Sequence, residues 1–166
     1  MSLLSHSIDR SDHPLEVVER VALSNNWSFE RAVEDEIVLV ISGDKTNYQV
    51  SFTWMNEIEL LHVACAFEMK VPKPRLSEVQ QLIVGINEQL WIGHFDVWTQ
   101  NGMVMFRHAL LLAGGVAISG PQCEAALGSA LDTCERYYPA FQFVVWADKS
   151  ARDAMDAVMF ETSGEA

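Results

Sequence analysis

RLSEVQQLIVGINEQLWIGHFDVWTQNGMVMFRHALLL, residues 75–112, holds one helix followed by one β-hairpin, and the rest of the chain is arranged around that pair. Leu76, Val79, Leu82, Ile83, Ile86 and Leu90 recur at helical spacing and form one apolar stripe. Ser77 and Gln80 stand at the spacing of a capping box, which puts the helix start beside them, and Gly93 ends the segment as a C′ residue. Asn101-Gly102 between two β-rich runs then predicts a hairpin with a two-residue loop. That loop pairs Gln100 with Met103 and so sets Asp96 opposite Arg107 as a cross-strand ion pair. Phe95, Val97, Val104, Phe106 and Leu110 make the core side of the hairpin, while Trp98, Gln100, Met103 and Met105 share the other face with that pair.

Before this stretch the period changes once. Leu15, Val17, Val18, Val21 and Ala22 give a short amphipathic helix that starts at Asp12-His13-Pro14 and stops at Asn25-Asn26. From Trp27 the period is two: Trp27, Phe29, Arg31 and Val33 alternate with polar or small neighbours. Ile37, Leu39 and Ile41 form the inner row of a second strand, Tyr48, Val50, Phe52 and Trp54 that of a third, and Leu61, Val63, Cys65, Phe67 and Met69 that of a fourth. Pro72 and Pro74 close this four-stranded antiparallel meander. After the hairpin, Ser119 and Gln122 repeat the capping-box spacing with Pro121 in the first turn. Cys123, Leu127, Ala130, Leu131, Cys134 and Tyr138 mark the buried face of a long helix, which Pro139 should kink or interrupt before Phe141, Val144, Val145 and Trp146 continue it. Ser150 and Asp153 start a last helix with Ala154, Met155, Val158 and Met159 inside. The expected organisation is a frayed polar segment 1–12, one α+β domain 13–160 whose sheet carries helices on one face, and a polar tail 161–166.

The 166 residues suffice for one core, and a net charge of −12 with 11 Lys and Arg argues against nucleic acid and against an anionic membrane surface. The acidity suits solubility, or a partner with basic segments. Three cysteines without a small-loop framework, no signal peptide and no apolar run of membrane length point to a reduced, cytoplasmic protein.

No reactive constellation emerges. His62 and Cys65, three apart on a strand, face opposite ways, as do His94 and His108 across the hairpin, so no metal is expected. Cys123 and Cys134 read as small core residues without a basic neighbour to activate them. Glu34-Asp35-Glu36 is a solvated turn, Asn87 a capping or packing amide, and no phosphate-binding or nucleophile-elbow motif occurs, so no cofactor is expected. What remains is the hairpin's second face. Trp98, Met103 and Met105 with Asp96 and Arg107 are the candidate residues for binding a partner or for dimerisation, because Met and Trp suit adaptable contacts. The same row would be ordinary core if a second helix layer or the C-terminal segment covered it.

Val71-Pro72, Ile86-Asn87-Glu88, Gly93-His94-Phe95 and Phe106-Arg107-His108, together with Ala125–Leu131, Glu135–Phe141 and Trp146-Ala147, resemble the YbjN-like family of bacterial sensory transduction regulators over roughly residues 14–160. Asp148 departs from the pattern, where glycine is expected. The resemblance implies a fold like that of type III secretion chaperones, commonly dimeric, with grooves and apolar patches for extended partner segments. It implies no catalytic residues. The expectation is therefore a non-enzymatic chaperone-like or regulatory homodimer that binds a protein segment. The alternative is a small-molecule sensor or an enzyme with a pocket between sheet and C-terminal helices, lined by Trp54, Tyr137 or Trp146.

Overall fold

The computed structural model describes residues 12–164, so the reading of the first eleven residues and of the last two lies outside it. Its elements are α1 (Pro14–Ser24), β1 (Phe29–Val33), β2 (Glu36–Ser42), β3 (Asn47–Met55), β4 (Leu60–Lys70), a 3-10 turn (Lys73–Arg75), α2 (Leu76–Asn87), β5 (His94–Trp98), β6 (Met103–Leu111), α3 (Gly120–Val145) and α4 (Ala151–Gly164). The six strands form one antiparallel sheet in the order β1-β2-β3-β4-β6-β5. The meander is thus continuous from β1 to β4. α2 then carries the chain past the place of β6 so that the hairpin returns inward and β5 becomes the outer margin.

Strict alternation in β2, β3 and β4 puts Ile37, Leu39, Ile41, Tyr48, Val50, Phe52, Trp54, Leu61, Val63, Cys65, Phe67 and Met69 on one face, all buried. The hairpin adds Phe95, Val104 and Phe106 to the same face. α1 lies on β2 and β3, α3 on β4 and β6, α2 beside β5, and α4 packs on α2 and α3. Ring edges meet ring faces across this layer: Phe67 is 5.3 Å from Phe141, 5.4 Å from Tyr138, 5.9 Å from Phe95 and 6.0 Å from Tyr48, centroid to centroid.

Several local expectations are corrected. Ser77 and Gln80 form no capping box: Pro72 and Pro74 wind the chain into the 3-10 turn early, Arg75 is the N-cap without a side-chain bond, and α2 begins at Leu76. The Glu78 carboxylate of that first turn instead accepts from the backbone N–H of Ala151, 2.9 Å away, and so fastens the start of α4 to the start of α2. α2 ends at Asn87, not at Gly93. Gly93 sits at the entrance to β5 with φ 67°, against the Phe106 ring and the Arg107 carbonyl, where a side chain would collide. The first strand begins at Phe29 and, being the sheet's margin, is largely exposed. Asp148 takes the left-handed conformation a glycine would favour, φ 54°, and its carboxylate meets Arg75 at 3.1 Å. The Ser119–Gln122 capping box is formed as read.

Pro139 does not interrupt α3, which runs unbroken from Gly120 to Val145. A proline at this position leaves the carbonyl four residues earlier, that of Glu135, without its helical donor. Lys45 supplies one: its ammonium donates to the Glu135 carbonyl oxygen at 2.9 Å, and the Glu135 carboxylate accepts from the N–H of Asp44 at 2.8 Å. The β2–β3 turn is thereby clasped to the defect in α3. Lys45→Met is expected to lower stability by about 1 kcal/mol, and by nearly nothing in a Pro139→Ala background, where an alanine N–H refills the carbonyl. Urea unfolding of the four proteins in this double-mutant cycle measures the difference.

Candidate functional site

With every helix on the inner side, the even-numbered residues of β2, β4 and β5 and the odd-numbered residues of β3 and β6 form a second face that no helix of the described residues covers. This face holds a depression of about 270 Å³ that crosses the strands from Glu36 on β2 to Trp98 on β5. Its middle is lined by short side chains, Ser51, Ala64 and Ala66. Its β5–β6 end is lined by Trp98, Met103 and Met105.

The hairpin reaches this face in a register different from the expected one. Trp98 pairs with Met103, Asp96 with Met105 and His94 with Arg107, so the loop has four residues, Thr99 to Gly102, and Gln100 drops out of the strand. The cause lies in the segment just after β4. The Gly102 carbonyl accepts from the Val71 N–H at 2.8 Å, and Gly102, at φ 71°, packs so closely on Val71 that a side chain would collide with its backbone. A slip of two positions preserves the faces, whereas a slip of one would exchange them. Trp98, Met103, Met105, Asp96 and Arg107 therefore still share one surface. Asp96 and Arg107 are diagonal, not opposite, and Arg107 Nη1 still reaches Asp96 Oδ2 at 3.1 Å. Trp98 is 52 % exposed and Met103 37 %, while Met105, on the central β6 between Ala66 of β4 and Asp96 of β5, is only 5 % exposed.

Arg107 is shared between two partners. Its Nε donates to His62 Nε2 at 3.2 Å while Nη1 holds Asp96. An arginine can only donate, so His62 Nε2 carries the lone pair and the imidazole proton sits on Nδ1. Burial, and then the adjacent guanidinium, hold the His62 pKa below the ordinary histidine value. Reasoning from the sequence missed this contact. It follows from strand order, since β6 lies next to β4.

The β5 margin has its own device. Asn87, the last residue of α2, donates through Nδ2 to the Phe95 carbonyl at 3.1 Å and accepts through Oδ1 from the Phe95 N–H at 2.8 Å. Its carboxamide thus stands where the peptide group of a seventh strand would be. Phe95 is 1 % exposed, so these two backbone groups have no recourse to water.

The other residues singled out from the sequence are not brought together. Trp54 and Tyr137 are core residues, at 5 % and 2 % exposure, Trp146 is 59 % exposed, and the space between sheet and C-terminal helices is filled by rings. Cys65, Cys123 and Cys134 are buried free thiols, and burial pushes the Cys123 pKa up to about 11, away from reactivity. Among the described residues no three His, Cys, Asp or Glu side chains are grouped to hold a metal ion, and no helix is long and apolar enough to cross a membrane.

A one-faced α+β sheet with a bare, partly apolar second face is the architecture these observations define. Compared with known proteins, residues 14–143 match the YbjN family model, described as "Putative bacterial sensory transduction regulator", and the chain belongs to that family. Among solved structures it is similar to that of the ExsC–ExsE complex, with TM-score 0.51 and 19 % identity over 76 % of this chain and 93 % of the other. It is also similar to YbjN, described as "a putative transcription regulator from E. coli", with TM-score 0.50 and 9 % identity over 75 % and 93 %. At these identities the likeness is one of fold. No curated protein sequence matches.

Two outcomes follow. Asn87→Ala strands a buried N–H and a buried carbonyl of Phe95 and is expected to lower stability by about 2–3 kcal/mol in urea unfolding, with Asn87→Asp, which keeps the acceptor and loses the donor, in between. The fold favours neutral His62. A folded-state pKa below the unfolded one makes that contribution present above about pH 6.5 and lost as the pH falls through the folded value. His108, its pKa lowered by burial, acts in the same direction. The fall in Tm from pH 7 to 5 is therefore expected to be shallower in His62→Gln, which keeps an acceptor for Arg107 and does not titrate.

Proposed function

We propose that the protein is a non-enzymatic, chaperone-like or regulatory binding protein of the cytoplasm that works as a homodimer and holds a segment of a partner protein on the bare face of its sheet. The observation that carries this reading is the Trp98–Met103 pair, two large apolar side chains left open beside a depression that no helix of the described residues occupies. A tryptophan flanked by methionines offers much contact area to a partner at small loss of conformational freedom and adapts to varied shapes. Membership of a family described as sensory transduction regulators supports a regulatory role, and the shared fold with ExsC, seen in complex with ExsE, supports binding of a protein. The margin at β1 offers a second route, by strand addition.

Trp98→Ala combined with Met103→Ala tests the reading. Both residues are open to solvent, so Tm is expected to shift little, the loss being within about 0.5 kcal/mol each. Co-purification of the native partner from the source cell should fall at least tenfold, and the partner's protected segment should vanish from limited proteolysis of the complex. Light scattering gives the companion result: a mass twice the 18.6 kDa of one chain. Retained partner binding in the double variant contradicts the proposal.

A further inference from the structure

The depression on the bare face is chemically two-ended, and we infer from it the kind of segment it takes: an amphipathic helix that sets apolar side chains against Trp98 and Met103 and, about three turns along the same side, a lysine or arginine against Glu36. The inference rests on the binding role proposed above and adds the chemistry of the partner.

Direction comes first. The depression crosses the strands, from β2 through β3, β4 and β6 to β5. A segment lying in it rests on the face of the sheet, where the backbone N–H and C=O groups are already engaged in the ladders. An extended segment would find no partners there for its own backbone, whereas a helix satisfies its backbone internally. The short side chains at the middle, Ser51, Ala64 and Ala66, give a helix room to approach.

Charge comes second. Of the two charged side chains lining the depression, Arg107 is engaged by Asp96 and His62. Glu36, half-buried at the far end, has no ion-pair partner among the described residues. Neutral His62 adds no positive charge there, and Glu30 lies on the same face of neighbouring β1. Lys70, next to Met103, is at the opposite end. The unanswered charge is therefore negative and sits away from the tryptophan, on a chain with net charge −12 that draws cations toward it.

Length comes third. Four strand spacings separate β2 from β5, roughly 19 Å across the sheet, a distance the long side chains of lysine or arginine help to bridge. Eleven residues of helix, three turns that return to the same side, span about 16 Å.

Helical 18-residue peptides provide the test, read by fluorescence anisotropy. One carries two leucines near one end and two lysines about eleven residues further along the same side; its counterpart carries glutamates in place of the lysines. The lysine peptide is expected to bind about tenfold more tightly at low ionic strength, with the advantage shrinking as salt is added. Glu36→Lys, checked for folding by circular dichroism, should invert the order, and Trp98→Ala with Met103→Ala should abolish binding of both. Equal binding of the two peptides, or an order unchanged by Glu36→Lys, overturns the inference. If that equal binding is still lost in the Trp98/Met103 variant, the bare face remains a binding surface and only the partner's charge is wrong. If neither peptide binds, or binding survives that variant, both readings fall.

Discussion

Everything on the bare face depends on what happens on the other one. Phe67, in the middle of β4, meets Phe141 and Tyr138 of α3, Phe95 of β5 and Tyr48 of β3 edge to face, and so ties three strands and the longest helix to one point. Burial of these rings against the sheet is what commits α3 to the inner side, and α4 follows because it packs on α3 and α2. No helix of the described residues is then left for the outer side. An aromatic cluster in the core thus decides that Trp98 and Met103 meet solvent.

The candidate surface inherits its rigidity from the same source. Its residues stand on paired strands, not on loops: Ala64 and Ala66 are held between β3 and β6, and Met105 between β4 and β5. Arg107 is fixed from two sides, by the His62 lone pair and by the Asp96 carboxylate, so its position is set before any partner arrives. A surface of this kind presents shape and charge without first having to order itself.

Period-two alternation made the two faces of β2, β3 and β4 readable from the residues alone, and it made the shared surface of Trp98, Met103, Met105, Asp96 and Arg107 readable too. The hairpin register was not readable, because Asn101-Gly102 answers to Val71 across space and not only to its neighbours in the chain. The same holds for Lys45 at the Glu135 carbonyl, ninety residues away, and for Arg107 beside His62. Ser77 had the spacing of a cap, but two prolines upstream started the winding before it. Asp148 stood where glycine was expected and adopts glycine's conformation, with an arginine at its carboxylate. Patterns local to one strand or helix survive translation into structure; contacts made by the order of strands do not announce themselves in the chain.

The carboxamide at the end of α2 has a consequence for assembly. Since Asn87 meets both Phe95 groups, those groups point away from β6, and by alternation Val97 is the next residue of β5 to point outward. A margin so occupied is a poor template, which leaves β1 as the edge on which another chain could add. Two copies joined through β1 would each turn a blocked border outward, so growth by edge pairing terminates at the pair and cannot propagate into a fibre.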